Sequence, residues 1–143
     1  MRDKCAGFTL VELMVVVAVV SILIAIAYPA YTEHMLKGRR SAAQSDLIEL
    51  AQFMQRYYSE NKRYRDALGV APTLPFTQSP KDSSPKVYNL TVATVSDTSY
   101  TLTATPIAGQ AQAGNGKLTI DQTGDRCWDE NDDNACAVGE DWD

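Results

Sequence analysis

A run of 20 residues, Phe8–Ala27 (FTLVELMVVVAVVSILIAIA), carries a single charge, Glu12. As an α-helix it would be about 30 Å long, the thickness of a bilayer's hydrocarbon core. The short, slightly basic segment MRDKCAG precedes it, and Tyr28, Pro29 and Tyr31 follow. Tyrosines closing an apolar run suit a membrane–water interface. A charge within such a helix costs about 2.5–3.5 kcal/mol on insertion scales and usually has a partner. Glu12 is therefore either paired or, near the helix end, snorkelling to the interface. Three readings are open from these residues. One is a plain transmembrane anchor. Another is a secretory signal cut after Ala25-Ile26-Ala27, although its apolar core would exceed the usual length of about 7–15 residues and holds a carboxylate. The third is a signal cut in front of the apolar run, so that the helix survives in the mature chain. Charge does not settle orientation, because Arg2 and Lys4 on one flank face Lys37, Arg39 and Arg40 on the other.

The helical pattern continues past Pro29, with a kink expected near residues 25–29 where proline removes a backbone donor. Ala43, Leu47, Leu50, Met54 and Tyr57 step by four and three residues, an amphipathic stripe suited to packing on a sheet. Arg39, Arg40, Gln44, Glu49, Gln52 and Arg56 mostly fall on other faces. From Phe8 to about Tyr58 this helix would be roughly 75 Å long. A head of this size cannot bury that length, so the first half must lie in lipid or against other subunits.

Between Asn61 and Lys86, Pro72, Pro75, Pro80 and Pro85 with Ser79, Ser83 and Ser84 mark a long connecting loop. Tyr88, Leu90 and Val92 then alternate with polar or small residues, as do Tyr100, Leu102 and Ala104, and Leu118 and Ile120 after the Gly114-Asn115-Gly116 turn signal. Period-two alternation rich in Thr and Tyr predicts a half-buried antiparallel sheet whose apolar face covers the helix stripe.

Gly7-Phe8-Thr9-Leu10-Val11-Glu12 resembles the prepilin motif of the type IV pilin family. That resemblance implies cleavage between Gly7 and Phe8 by a prepilin peptidase, and N-methylation of Phe8. It also implies pairing of Glu12 with the new N-terminal amine of a neighbouring subunit, and a helix-kinking role for Pro29. AQFMQRYY (Ala51–Tyr58), VYNLTV (Val87–Val92) and YTLTATP (Tyr100–Pro106) are similar to a PilE-type minor pilin of the type IVa class. The implied fold is α+β, a long N-terminal helix whose second half packs on a small antiparallel sheet. Residues 1–7 would be the leader, 8–31 the transmembrane and filament-core helix, and 32–143 the head. Within the head, 32–60 would continue the helix, 61–86 form the loop, 87–128 the sheet and 127–136 a C-terminal loop.

With the head outside the cytoplasm, disulfides persist, and cleavage after Gly7 removes Cys5 and leaves an even pair. A Cys127–Cys136 disulfide is then expected, worth about 2–3 kcal/mol by loop entropy. The alternative, a metal pair, lacks a CxxC spacing or an accompanying histidine. His34, the sole histidine, lies near the membrane and reads as a solvated helix residue. Asp129, Asn131, Asp133 and Glu140 fall at positions one, three, five and twelve of a calcium-loop template, with Asn134 at the glycine position and no exiting helix. A solvated acidic loop is the competing reading.

The formal net charge of −5, with acids crowded at the C-terminus, does not suggest nucleic-acid binding by the whole domain. GxSxG, Walker and dinucleotide patterns are missing, so the chain does not read as an enzyme and no cofactor is implied. The resemblance implies a structural pilus subunit, held in the bacterial inner membrane with its head in the periplasm and then built into an extracellular fimbrium. Its partners would be other major and minor pilins, the peptidase and the assembly platform, and its service twitching motility, adhesion or DNA uptake. Two alternatives stand beside it: a type II secretion pseudopilin, and a membrane-anchored binding domain that never polymerises.

Overall fold

The computed structural model describes residues 8–130 and Trp142. Contacts divide the chain between Met35 and Leu36 into two units, and one helix, α1 (Leu10–Asn61), contributes to both. In the first unit α1 begins on a cap: the Thr9 hydroxyl accepts from the Glu12 amide at 3.2 Å, and the Thr9 carbonyl accepts from the Leu13 amide. Thr-x-x-Glu, here Thr9 to Glu12, is the capping-box spacing. Inside the apolar run, the Ser21 hydroxyl donates to the Val17 carbonyl at 2.7 Å, so that hydroxyl is satisfied within the helix. Pro29 does not end α1, and the Thr32 hydroxyl donates to its carbonyl at 2.8 Å.

The second unit is the head. Ala43, Leu47, Leu50 and Met54 of α1 are fully buried. Tyr57, expected to extend the stripe, is only half-buried. They pack on a five-stranded antiparallel meander in spatial order β1 (Gln78–Ser79), β2 (Tyr88–Val95), β3 (Tyr100–Pro106), β4 (Lys117–Asp121) and β5 (Arg126–Asp129). Register explains the core. Leu90 pairs with Ala104, Ala104 with Leu118 and Leu118 with Trp128, one row across four strands. Val92, Leu102 and Ile120 form a second row on the same face. Strand side chains alternate faces, so Thr91, Thr103 and Thr119 line up on the other side.

Two strands depart from the sequence reading. Ser79 was placed in the 61–86 loop; it lies in β1 and is fully buried. The expected sheet bounds, 87–128, take in most of Arg126–Asp129, but no strand is read there from sequence; it forms an edge strand on β4. Both are too short to show an alternating pattern, and pairing with a longer neighbour defines them. The Asp121–Asp125 connection into β5 is held by the Asp121 carboxylate, which accepts from the Thr123 amide and hydroxyl and from the Asp125 amide. Burial pushes this carboxyl up, but these donors outweigh it and hold it below the usual carboxylate range.

Gly116 has φ +70°, and a Cβ there would sit 2.2 Å from the Asp129 carbonyl oxygen; Gly109 has φ +78° with nothing within 4 Å. Gly109→Ala should cost only the left-handed backbone penalty, roughly 1–2 kcal/mol. Gly116→Ala adds a backbone collision that forces β4 and β5 apart. Thermal denaturation should show a distinctly larger loss of Tm for Gly116→Ala; equal losses would mean that this close approach does not exist.

Candidate functional site

The first functional element is the apolar part of α1. Its large side chains are open to the surroundings, from 73% for Leu10 to 45% for Val20, as is Phe8 just before it. By length and composition α1 is able to cross a membrane, and none of its most apolar stretch is buried by the described residues. Glu12 lies in the first turn, at the positive end of the helix dipole. It takes part in neither described ion pair, Arg65–Asp97 nor Lys81–Glu49. A carboxylate next to the start of an otherwise apolar, uncovered helix is suited to a cationic partner from outside the chain.

The second element is a polar clasp holding the head's own stretch of α1. Gln112, fully buried, donates through Nε2 to the Leu36 carbonyl at 2.7 Å, and its Oε1 accepts from Asn115 Nδ2 at 2.6 Å. Asn115 in turn accepts from Arg40 Nη1 at Oδ1 and from Trp128 Nε1 at its carbonyl. The Arg40 guanidinium lies 3.6 Å from the centre of the Trp128 ring, a cation–π contact. Beside it, burial pushes the Tyr88 hydroxyl up to about 12, against the opposing pull of the Arg40 charge. Arg40, read from sequence as part of a solvated basic cluster with Lys37 and Arg39, is thus half-buried and committed to the head.

A third contact ties the connecting segment to α1. The buried Asp46 carboxylate accepts from Ser79 Oγ at 2.6 Å and from the Lys81 amide at 3.0 Å. Lys81 Nζ pairs with Glu49, one turn further on. On the far side of the sheet edge, Trp142 Nε1 donates to the Cys127 carbonyl and Gln44 donates to the Trp142 carbonyl.

Of the residues singled out from sequence, Phe8, Glu12 and Pro29 are placed on or beside the exposed part of α1. Cys127 is buried in β5 and Asp129 is buried at its end. Gly7, Cys136, Asn131, Asp133 and Glu140 lie outside the described residues, and with them the disulfide partner and most of the calcium template. Among the described residues there is no grouping of three metal-ligating side chains. His34 is exposed. Gln112 and Asp46 were missed. Asp46 abuts the apolar stripe at Leu47 and could have been suspected; Gln112 sits in a Gly/Ala/Gln loop with no distinguishing pattern.

One uncovered apolar helix segment, long and apolar enough to cross a membrane, continued by a helix that packs on an antiparallel meander, is the pilin-like class of fold. The family model described as "Type IV minor pilin ComP, DNA uptake sequence receptor" matches residues 29–119, and the prokaryotic N-terminal methylation motif matches residues 2–28. The chain belongs to the type IV pilin family. It is 41% identical over 69 residues to the type IV major pilin protein PilA of Myxococcus xanthus, covering 46% of this chain and 31% of that protein. It is 33% identical over 79 residues to the type II secretion system core protein G of Escherichia coli, covering 51% and 54%. The chain thus spans about a third to a half of these curated relatives. In structure it is similar to the non-core minor pilin PilV of Neisseria meningitidis, with a TM-score of 0.53 at 23% identity over 73% of this chain and 96% of that one, which supports the fold.

Gln112→Ala removes the extra donor to the Leu36 carbonyl and leaves the Asn115 side-chain amide without its acceptor, at about 1–3 kcal/mol. Hydrogen exchange should accelerate at the α1 amides near Leu36–Arg40 more than at those near Leu50. Uniform acceleration along α1 would contradict a local clasp. Asp46→Ala should cost a similar amount by leaving Ser79 Oγ and the Lys81 amide unpaired. It should free β1 from α1, seen as loss of exchange protection at the Ser79-paired Val87 amide.

Proposed function

We propose that this chain is a structural subunit of a type IV pilus, of the minor-pilin kind, stored in the inner membrane and assembled through α1 into an extracellular filament. The observation that carries this reading is the uncovered apolar face of α1 with its single carboxylate, Glu12, next to the helix start. In lipid, the backbone groups of such a helix are satisfied internally and its side chains match the solvent. In a filament the same surface would be covered by the helices of other subunits. Cleavage between Gly7 and Phe8 would free the Phe8 amine that Glu12 of a neighbour needs, and a separate methyl transfer would leave it cationic, so that the pair sets axial register. The peptidase, the assembly platform and other pilins are the partners this requires. The Cys127–Cys136 disulfide would fasten the chain end to β5, and calcium at the acidic C-terminal segment is a minor alternative use of the same residues.

Glu12→Ala tests the reading. It leaves the head untouched and should improve membrane insertion. Removing one partner of a charge pair in a low-dielectric core costs about 3–5 kcal/mol, so recovery in sheared filaments should fall by about 100-fold or more while the membrane pool persists. Unchanged recovery would reject charge-set register. Absence of the wild-type protein from filaments would favour the non-polymerising binding domain.

A second reading, service in DNA uptake, is favoured by the description of the family model that matches residues 29–119. The acidic balance of the chain argues for an indirect part in it. Filaments with and without this subunit should then retain duplex DNA equally; a subunit-dependent, steeply salt-sensitive retention would indicate direct contact.

A further inference from the structure

The polar clasp on α1 is closed by Gly114-Asn115-Gly116, and of the chain's five asparagines Asn115 alone precedes a glycine. Asparagine is a thermolabile residue. It is most so before glycine, where no side chain shields the following backbone nitrogen from the asparagine Cγ. Both residues are needed here. Gly116 has φ +70°, and a Cβ on it would sit 2.2 Å from the Asp129 carbonyl oxygen. Asn115 must accept from Arg40 Nη1 and donate to Gln112 Oε1 with one side chain, which an ionised carboxylate cannot do. The clasp is therefore built on a linkage that water can break down.

The fold holds both reacting groups. All four polar atoms of Asn115 are engaged. Its amide donates to the Gln112 carbonyl at 3.0 Å, and its carbonyl accepts from Trp128 Nε1 at 2.9 Å. Its Oδ1 bonds Arg40 at 3.2 Å and its Nδ2 bonds Gln112 at 2.6 Å. Gly116 is buried against the backbone of Asp129 and Glu130, so its N–H is withheld from the solvent base that would have to take its proton.

We infer that Asn115 is a deamidation site gated by the clasp, inert while the clasp is closed and converted one way when it opens. In the open head the Gly116 nitrogen attacks Asn115 Cγ. The N–Cγ bond forms, the Cγ–Nδ2 bond breaks, and Nδ2 leaves as ammonia with the proton from the Gly116 nitrogen. The five-membered imide then takes up one water. Opening at Cγ gives aspartate; opening at the backbone carbonyl gives an isoaspartyl link, which lengthens the main chain by a methylene. The aspartate keeps an acceptor for Arg40 but has no donor for Gln112 Oε1. The isoaspartyl link also moves the carbonyl that Trp128 bonds. A head that has opened and reacted is thus marked permanently and cannot close as before. Opening and closing are fast beside this chemistry, so the rate follows the fraction of heads that are open.

The test follows full-length protein in detergent micelles, incubated in warm neutral buffer and then digested. The peptide carrying Asn115 is weighed, and isoaspartyl links are counted with a methyltransferase specific for them. Native wild type should lose the Asn115 amide at least about 100-fold more slowly than the same chain in denaturant. Gln112→Ala should raise the native rate about tenfold. Asp46→Ala, which weakens the head elsewhere on α1, should raise it far less. Asn115→Asp should speed hydrogen exchange at the Leu36–Arg40 amides as Gln112→Ala does. An unfolded chain that keeps its amide, a native chain that reacts as fast as the unfolded one, or equal rates in Gln112→Ala and Asp46→Ala would overturn the gated site. Wild-type exchange in Asn115→Asp would overturn the loss of the clasp on reaction.

Discussion

The structure depends on one mismatch: half of α1 is apolar on every face, and none of the described residues covers it. Residues such as Val11, Val17 and Ile26 remain more than half exposed, while Ala43, Leu47, Leu50 and Met54 further along the same helix are fully buried. A helix hydrophobic all round belongs in lipid or in the core of a larger body. Its other half is an ordinary amphipathic helix on a sheet. The first half of α1 thus needs surroundings that the second half does not. A protein stored in a membrane and later built into a filament requires that combination.

The head holds its own stretch of α1 by packing and by polar contacts. Apolar packing against β2, β3 and β4 supplies the main contact. It is sealed by polar contacts at the end nearer the apolar half: Gln112 on Leu36, Arg40 on Trp128 and Asn115, and Gln44 on Trp142. Asp46 adds a tether to β1. Buried polar groups of this kind are costly when half-satisfied and specific when complete. Each one here has its partner except the Tyr88 hydroxyl, which has none among the described residues.

Much of this was legible in the sequence. The apolar helix follows from an unbroken apolar run, while the stripe on α1 and the three principal strands follow from hydrophobic periodicity, because burial on one face leaves a regular mark. The two edge strands were not, since Gln78–Ser79 and Arg126–Asp129 are too short for alternation to register. The clasp was not either. Gln112 and Asn115 act through the particular place to which a glycine-rich turn brings them, and a single sequence has no periodic signature for that. Asp46 lay in between: a carboxylate beside an apolar stripe invites the question of what it bonds, but the answer, Ser79, is 33 residues away.

The most direct test of the account is the intact mass of this protein recovered from sheared filaments of its native host. The account predicts a chain beginning at N-methylated Phe8, lacking MRDKCAG and lighter by the two hydrogens of a Cys127–Cys136 disulfide. A chain beginning at Tyr28, or one retaining Met1 in cells with an active prepilin peptidase, would contradict it: the first would be a secreted head without its assembly helix, the second a simple membrane-anchored domain.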